Sequence, residues 1–300
     1  MGRLRGEEVA LKDLAVVYER LGDYGKVILY EQQKLAIARE IIDRQGEYEA
    51  LVNLVNVYFH LEDYAKVIDF GNQQLAIAQE NRDSFGEENA LKVLGSSYYF
   101  LGDYDKAINY TEQSLALARK LKNRSEEATR LSHLGSIYYF LGDLDKAINY
   151  YEQDLAIRRE LKDRKAEGLA LGNLGLAYTG KGEYAKAISY LEQDLAYERE
   201  FREPLEESQT LEYLGTAYDG LGNYAKAIEY GQQSVAITQK VKYTRGEAIA
   251  LTNLGSYLAE VGNFPEAEKA LRNAVEVLEL LRKKLGSNDA YKVSIFGLPT

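Results

Sequence analysis

Ser96–Tyr110 reads SSYYFLGDYDKAINY, and forty residues on Ser136–Tyr150 reads SIYYFLGDLDKAINY, identical at thirteen of fifteen positions. The echo runs along the chain. Leucine recurs at Leu11, Leu51, Leu91, Leu131, Leu171, Leu211 and Leu251. Glutamate recurs at Glu7, Glu47, Glu87, Glu127, Glu167, Glu207 and Glu247. Tyrosine holds at Tyr18, Tyr58, Tyr98, Tyr138, Tyr178 and Tyr218, then gives way to Leu258. A period of forty that never slips over seven copies means that each copy fills the same structural slot. Stacked units share a continuous core, so the 300 residues need no division into two globular domains.

Within one copy the apolar spacing is helical. Leu91, Leu94, Gly95, Tyr98 and Leu101 fall on one helix face. This predicts a helix A over roughly Glu87–Leu101. Gly102 then suits a left-handed C-terminal cap, and Asp103 can accept hydrogen bonds at the start of helix B, roughly Tyr104–Leu121. A polar loop, Lys122–Ser125, leads to the next copy. Copy two has Glu62 where the others have Gly22, Gly102, Gly142, Gly182, Gly222 and Gly262, which predicts strain in that turn. The Glu7-to-Glu247 column is expected to open each helix A, at the positive end of its dipole.

Small residues recur where the two helices must cross: Gly95, Gly135, Gly175, Gly215 and Gly255 on helix A, and Ala107, Ala147, Ala187, Ala227 and Ala267 on helix B. A mid-helix glycine costs about 1 kcal/mol against alanine, which close packing must offset. Copies one and two carry Ala15 and Val55 instead, so looser packing is expected there.

The stretch Leu171, Leu174, Gly175, Tyr178, Gly182, Tyr184 and Ala187 resembles the tetratricopeptide repeat (TPR) motif, L-x-x-L-G-x-x-Y-x-x-x-G-[DEN]-Y-x-x-A. The common TPR period is thirty-four. The forty-residue variant resembles the repeats of Pins/LGN spindle-orientation adaptors and, more loosely, of kinesin light chains. Two features depart from the motif. Leu91 stands where the first helix A position usually has tryptophan. The small residue late in helix B is replaced by Lys34, Gln74, Ser114, Asp154, Asp194 and Ser234. The resemblance implies an all-α fold, a right-handed α-solenoid of seven helix-turn-helix units over residues 1–285. The repeats fall near 7–44, 47–84, 87–124, 127–164, 167–204, 207–244 and 247–285. A short tail, 286–300, follows as a possible linker to a missing domain.

In this family helix A lines a concave face that takes short extended or helical peptides. On that expectation the peptide-binding positions are Asn53, Val93, His133, Asn173, Tyr213 and Asn253, with Asn56, Ser96 and Ser136 one turn on. Asparagine side chains can hold a peptide backbone through both a donor and an acceptor. Phe59, Tyr99 and Tyr139 come next, with Phe100 and Phe140 beside them. Tyr98 and Tyr138 belong to the motif and are expected to pack between repeats. Tyr99, Phe100, Tyr139 and Phe140 are not demanded by it, because other copies carry Gly180, Asp219 or Glu260 in those places. They read either as an aromatic binding patch or as extra core against a neighbouring helix B.

Composition excludes much else. There is no cysteine, so disulfides and thiolate metal sites are absent and a cytoplasmic compartment is expected. The net charge of −10 repels phosphate backbones, so nucleic acid is not expected as a partner. No apolar run could span a membrane, and MGRLRGEEVALKDL lacks the core of a secretory signal. The two histidines, His60 and His133, have no ligand spacing, and no HExxH, CxxC, GxxxxGK[ST] or GxSxG motif occurs. No enzyme activity and no cofactor are expected. The sequence sets no oligomeric state.

The ends carry two further expectations. Gly6-Glu7 matches Gly46-Glu47, as if the chain starts in an inter-repeat loop. In copy seven Glu266, Glu268 and Glu276 replace Lys226, Ile228 and Ala236, as a polar terminal cap requires. Leu278–Phe296, LELLRKKLGSNDAYKVSIF, resembles the stretch following forty-residue TPR arrays in bacterial proteins that carry a CHAT domain, a caspase-like protease module. The sequence therefore supports a non-catalytic scaffold for a protein or peptide partner. The alternative is the sensor arm of a larger CHAT-type protein.

Overall fold

A computed structural model describes residues 2–284. The tail at 286–300 and most of the CHAT-like stretch lie outside the described residues. Fourteen helices follow one another: α1 Gly2–Arg20, α2 Tyr24–Glu40, α3 Arg44–His60, α4 Tyr64–Glu80, α5 Ser84–Phe100, α6 Tyr104–Lys120, α7 Arg124–Phe140, α8 Leu144–Leu161, α9 Arg164–Gly180, α10 Tyr184–Phe201, α11 Pro204–Gly220, α12 Tyr224–Val241, α13 Thr244–Glu260 and α14 Phe264–Lys284. No strand occurs among the described residues. Odd-numbered helices are the A helices and even-numbered ones the B helices. Within α1–α7 and within α8–α14 each helix packs on its chain neighbours, as an α-solenoid requires. The chain divides into two compact units at Asp143/Leu144.

The connections are shorter than the sequence suggests. Helix A starts at Arg124 or its equivalent, three residues ahead of the glutamate column, so the second half of the expected polar loop Lys122–Ser125 is helix. Gly6-Glu7 likewise lies inside α1 rather than in a loop. The reason is a cap that the polar composition concealed. Asp43, Asp83, Asn123 and Asp163 accept hydrogen bonds from the first-turn amides of Gly46, Phe85, Glu126 and Ala166. The B-to-A turn is thus as well made as the A-to-B turn, where Asp23, Asp63 and Asp103 cap as expected. Pro204 falls in the first turn of α11, where its missing N–H costs nothing.

Both kinds of turn close through a left-handed residue. In the A-to-B turns this is glycine, with φ from 72° to 79°. Glu62 adopts φ 59° and keeps the same pair of bonds, Glu62 N–H to the Phe59 carbonyl and Asp63 N–H to the Tyr58 carbonyl. The strain expected of copy two is therefore held locally, with the turn intact. In the B-to-A turns the left-handed residue is never glycine: Ile42, Arg82, Lys122, Lys162, Arg202 and Lys242 all have φ between 55° and 59°.

The glutamate column does more than favour a helix dipole. Glu47 accepts from Arg39 at 2.8 Å and Arg44 at 2.9 Å, tying the first turn of α3 to the last turn of α2. Arg119–Glu127, Arg159–Glu167 and Arg199–Glu207 repeat the link. In copies three and seven Gln79 and Gln239 serve instead.

Leu51, Leu54, Leu91, Leu94, Leu131, Leu134, Leu171, Leu174, Leu211 and Leu214 are buried, as their spacing predicts. The glycine column allows the close crossing. A Cβ on Gly95 would stand 2.7 Å from Thr111 Oγ1, one on Gly255 2.6 Å from Leu271 Cγ, and one on Gly175 would overlap Leu191. The backbones of α1/α2 and α3/α4 are apposed over less of their length than those of α5/α6, α9/α10, α11/α12 and α13/α14, as Ala15 and Val55 predict. The motif tyrosines pack within their own repeat as well as between repeats. Tyr98 stacks on Tyr110 of its own repeat, centroids 5.4 Å apart, and Tyr18–Tyr30, Tyr58–Phe70, Tyr178–Tyr190 and Tyr218–Tyr230 do the same. The hydroxyl also reaches the preceding repeat: Tyr178 donates to Glu152 and Tyr218 to Glu192, and Tyr58 packs on a cluster that includes Leu35.

The terminal helix is only partly a polar cap. Glu266, Glu268 and Glu276 are exposed, but so are Leu271, Val275, Leu278 and Leu280 on the same helix.

Candidate functional site

The surplus aromatics of the first unit form a connected ladder of rings. Phe100 at the end of α5 stacks on Tyr64, the first residue of α4, with centroids 4.9 Å apart. It meets Phe59 of α3 edge-on at 5.9 Å. Tyr99 contacts Phe100 at 5.4 Å and Tyr104 at 6.1 Å, and meets Phe140 of α7 at 5.6 Å. Phe140 in turn contacts Tyr139 at 5.9 Å. His60 lies on Tyr24 in the same relation, at 4.5 Å. The rule behind the ladder is simple. The last residue of helix A lies on the ring that opens the preceding helix B. Where that residue is Gly220, an added Cβ would overlap the ring of Tyr184.

These aromatics are neither wholly core nor wholly free. The rings pack on one another, yet Phe100 remains 54% and Phe140 60% exposed. Tyr99 and Tyr139 are half-buried. A cavity of about 230 Å³ opens beside them, lined by Ser96, Tyr99, Phe100, His133, Ser136 and Ile137, with Gly95 and Thr111 in its lining as well. Five of the expected positions thus converge. Burial, reinforced by the Arg130 charge, pushes His133 down to about 4, so its imidazole is neutral near pH 7. It offers one donor and one acceptor to whatever occupies the cavity.

The other expected positions are distributed. Asn53 and Asn56 line a second cavity of about 270 Å³ with Glu31 and His60. One amide hydrogen of Asn53 is already committed to Glu31 Oε1 at 2.8 Å, so it is not free to clasp a peptide with its whole amide. Val93 is half-buried on α5. Asn173 and Tyr213 line a third cavity in the second unit, and Asn253 is half-buried on α13.

Sequence reasoning noted the irregular late helix B column but not its role. Lys34, Gln74, Ser114, Asp154, Asp194 and Ser234 are all buried. Three pair with helix A of their own repeat and two with helix A of the next. Lys34 lies 3.7 Å from Glu49, Gln74 donates to Tyr48, Ser114 to Glu88 and Ser234 to the Ser208 carbonyl, while Asp194 accepts from Thr210. Asp154 instead accepts from Arg158 of its own helix at 3.0 Å. Each of these copies thus carries its own polar key at a shared position. Arg130 also escaped notice. It stands where other copies have Ala50, Ala90, Ala170 and Ala250, is buried, and bonds Glu126 at 2.5 Å with Glu88 3.8 Å away.

Carboxylates crowd the same helices of the second unit. Burial holds Asp194 up at about 6 despite hydrogen bonds with Thr210 and Glu198. Burial and the charge of Asp194 raise Glu198 to about 7, and burial raises Glu212 to about 7. Among the described residues no group of three or more His, Asp or Glu side chains could hold a metal ion. No described helix is long and apolar enough to cross a membrane.

Comparison with known proteins agrees with this architecture. A search of curated protein sequences finds no match. Three solved structures superpose on most of the chain. The tetratricopeptide-repeat-containing signal transduction ATPase with numerous domains (STAND) from Pyrococcus horikoshii shares 20% identity at a TM-score of 0.77, over 93% of this chain and 43% of that one. The apo form of RapI shares 15% at 0.72, over 92% and 99%. BtubC from P. vanneervenii shares 19% at 0.66, over 73% and 92%. At these identities the likeness is one of fold. The family profile of the tetratricopeptide repeat matches residues 47–120, 126–197 and 206–281. The chain belongs to the tetratricopeptide repeat family.

Proposed function

We propose that the chain is a non-catalytic scaffold that binds a polypeptide segment on the helix A face of its first unit. An apolar or aromatic side chain of the partner sits in the cavity between α5 and α7. The observation that carries this reading is the exposure of Phe100 and Phe140 beside that cavity. Ordered aromatic rings at a concave site supply large contact area at low entropic cost, and such rings dominate many interfaces. Ser96, Ser136 and neutral His133 add hydrogen-bonding groups at the rim. A Rap protein with a similar fold has been solved in complex with competence and sporulation factor, which supports a binding role for an array of this kind. The net charge of −10 disfavours nucleic acid.

A second reading makes the array the sensor arm of a larger protein, as in the STAND relative, whose repeats are described as a sensor and of which this chain spans less than half. The CHAT-like stretch supports that arrangement, with a caspase-like module beyond it. Sequence downstream of Thr300 in the parent gene, read for a histidine and cysteine pair, separates the two.

The test of the binding reading uses peptides selected on the full chain from a displayed random library. Tyr99→Ala with Tyr139→Ala should weaken the selected peptides at least about tenfold, while circular dichroism stays helical. Phe100→Ala with Phe140→Ala should do the same. Equal affinity for wild type and both double variants would remove the site.

A further inference from the structure

The second unit holds a cavity of about 100 Å³ between α9, α10 and α11, distinct from the aromatic cavity. Its lining includes Asp194 and Glu198 from α10, Asn173 from α9, and Glu206, Gln209 and Tyr213 from α11. We propose that this cavity receives the head group of a lysine or arginine side chain from a polypeptide partner, with Asp194 and Glu198 as its anionic floor. The proposal rests on the polypeptide-binding reading only for the source of the cation.

Asp194 is the central observation. It is only 4% exposed, and while Oδ2 accepts from Thr210 at 2.8 Å, Oδ1 has no hydrogen-bond donor. Glu198, one turn along the same helix, is buried and can hydrogen-bond Asp194 only while it carries a proton; once ionised it donates nothing. A buried carboxylate oxygen without a donor is costly, and a cationic donor is what it lacks.

The backbone of α9 is cut away around this carboxylate. A Cβ on Gly172 would stand 2.7 Å from Asp194 Oδ2, and one on Gly168 3.4 Å from Oδ1. Other copies place Val52, Lys92, Ser132, Glu212 and Thr252 at the Gly172 position. Two interior glycines cost α9 about 1 kcal/mol each, and the space they leave is occupied by Asp194.

The charges around the pair are mainly of one sign. Glu203 and Glu206 raise Glu198 further, and the opposing cation from α9, Lys165, is engaged with Glu203 at 2.6 Å. The volume fits a head group. It equals about three waters and falls well short of the roughly 300 Å³ at which small-molecule sites begin. A metal ion is the poorer occupant, because no third carboxylate or imidazole joins the pair at ligand distance among the described residues. The raised pKa values of Asp194 and Glu198 are what an unneutralised pair shows, and a bound cation should lower both and release protons.

Titration of the isotopically labelled full chain with butylguanidine, and with neutral butylurea of the same shape, tests the site. Butylguanidine should give saturable amide shifts at Gly172, Asn173 and Thr210, and butylurea none. Asp194→Asn keeps the acceptor for Thr210, so the fold should persist while butylguanidine binding weakens at least about tenfold. Gly172→Ala, which leaves both carboxylates in place, should weaken it too by crowding Asp194. An acetylated, amidated pentapeptide with one central arginine among alanines should bind more tightly than butylguanidine. Matching shifts from butylurea, unchanged affinity in both variants, or a pentapeptide weaker than butylguanidine would each overturn the proposal. Loss of this response leaves the Tyr99–Phe140 cavity untouched, and a failed peptide selection there leaves this titration to stand.

Discussion

Tyr99 and Phe140, one repeat apart in sequence, meet edge-on with their ring centroids 5.6 Å apart and an angle of 68° between planes. The pair joins α5 to α7 at the rim of the aromatic cavity. A double-mutant cycle with Tyr99→Ala and Phe140→Ala should give a coupling of about 0.5–1.5 kcal/mol in denaturant unfolding. A coupling indistinguishable from zero would mean that the rings are neighbours without attraction.

The glycines of this chain should respond to alanine with opposite signs. At Gly175 the new methyl overlaps Leu191. Gly175→Ala should therefore cost about 1–3 kcal/mol. At Gly25, in the first turn of α2, an added Cβ meets nothing closer than Asp23 Oδ1 at 3.6 Å. Gly25→Ala should gain up to about 1 kcal/mol from helix propensity. Thermal melts of the two variants check the signs directly.

Glu62 occupies the left-handed position that glycine fills in the other A-to-B turns. An L-residue pays about 1–2 kcal/mol there, partly offset by the greater chain entropy of glycine. Glu62→Gly should raise stability by roughly 1 kcal/mol, read as a higher denaturant midpoint at unchanged slope. A lower midpoint would show that the Glu62 side chain contributes more than its backbone costs.

Two opposite pH trends should be separable by substitution. Asp194 is raised from 3.8 to about 6 in the fold. Its stabilising protonation is complete below the unfolded value and is lost as pH rises through about 6. His133 is lowered from 6.5 to about 4. Its contribution is complete above the unfolded value and lost as pH falls through about 4. Relative to wild type, Asp194→Asn should therefore gain melting temperature on going from about pH 5 to about pH 8, and His133→Gln should gain on going from about pH 7 to about pH 4. Parallel wild-type and variant profiles would show that neither group is perturbed in solution.

The period of forty, the leucine and glycine columns and the Gly-Asp turns made the helix pairs legible without coordinates, because each is a local rule repeated seven times. The helix starts were misjudged for a local reason as well. Asp43, Asp83, Asn123 and Asp163 were visible at the same period, but polar neighbours such as Lys122 and Arg124 made the cap look like a loop. The polar keys were harder to read. That Ser114 meets Glu88 of its own repeat, or Asp194 meets Thr210 of the next, depends on the register of helix B against the helix A beside it, and no single helix pattern states that register. The ladder of Phe59, Tyr64, Phe100, Tyr99 and Phe140 was half legible. The surplus of rings was plain, but the contact of each on the preceding repeat's first helix B residue was not.

The connections between consecutive helices are two or three residues long and closed by backbone hydrogen bonds around a left-handed residue. A protease needs several consecutive residues of extended chain, and no connection among the described residues offers that length. Digestion under native conditions should therefore wait on the opening of whole helices, its rate following repeat stability rather than the abundance of surface lysine and arginine. In place of a ragged ladder of fragments, brief trypsin treatment should leave bands whose sizes report which part of the array opens first.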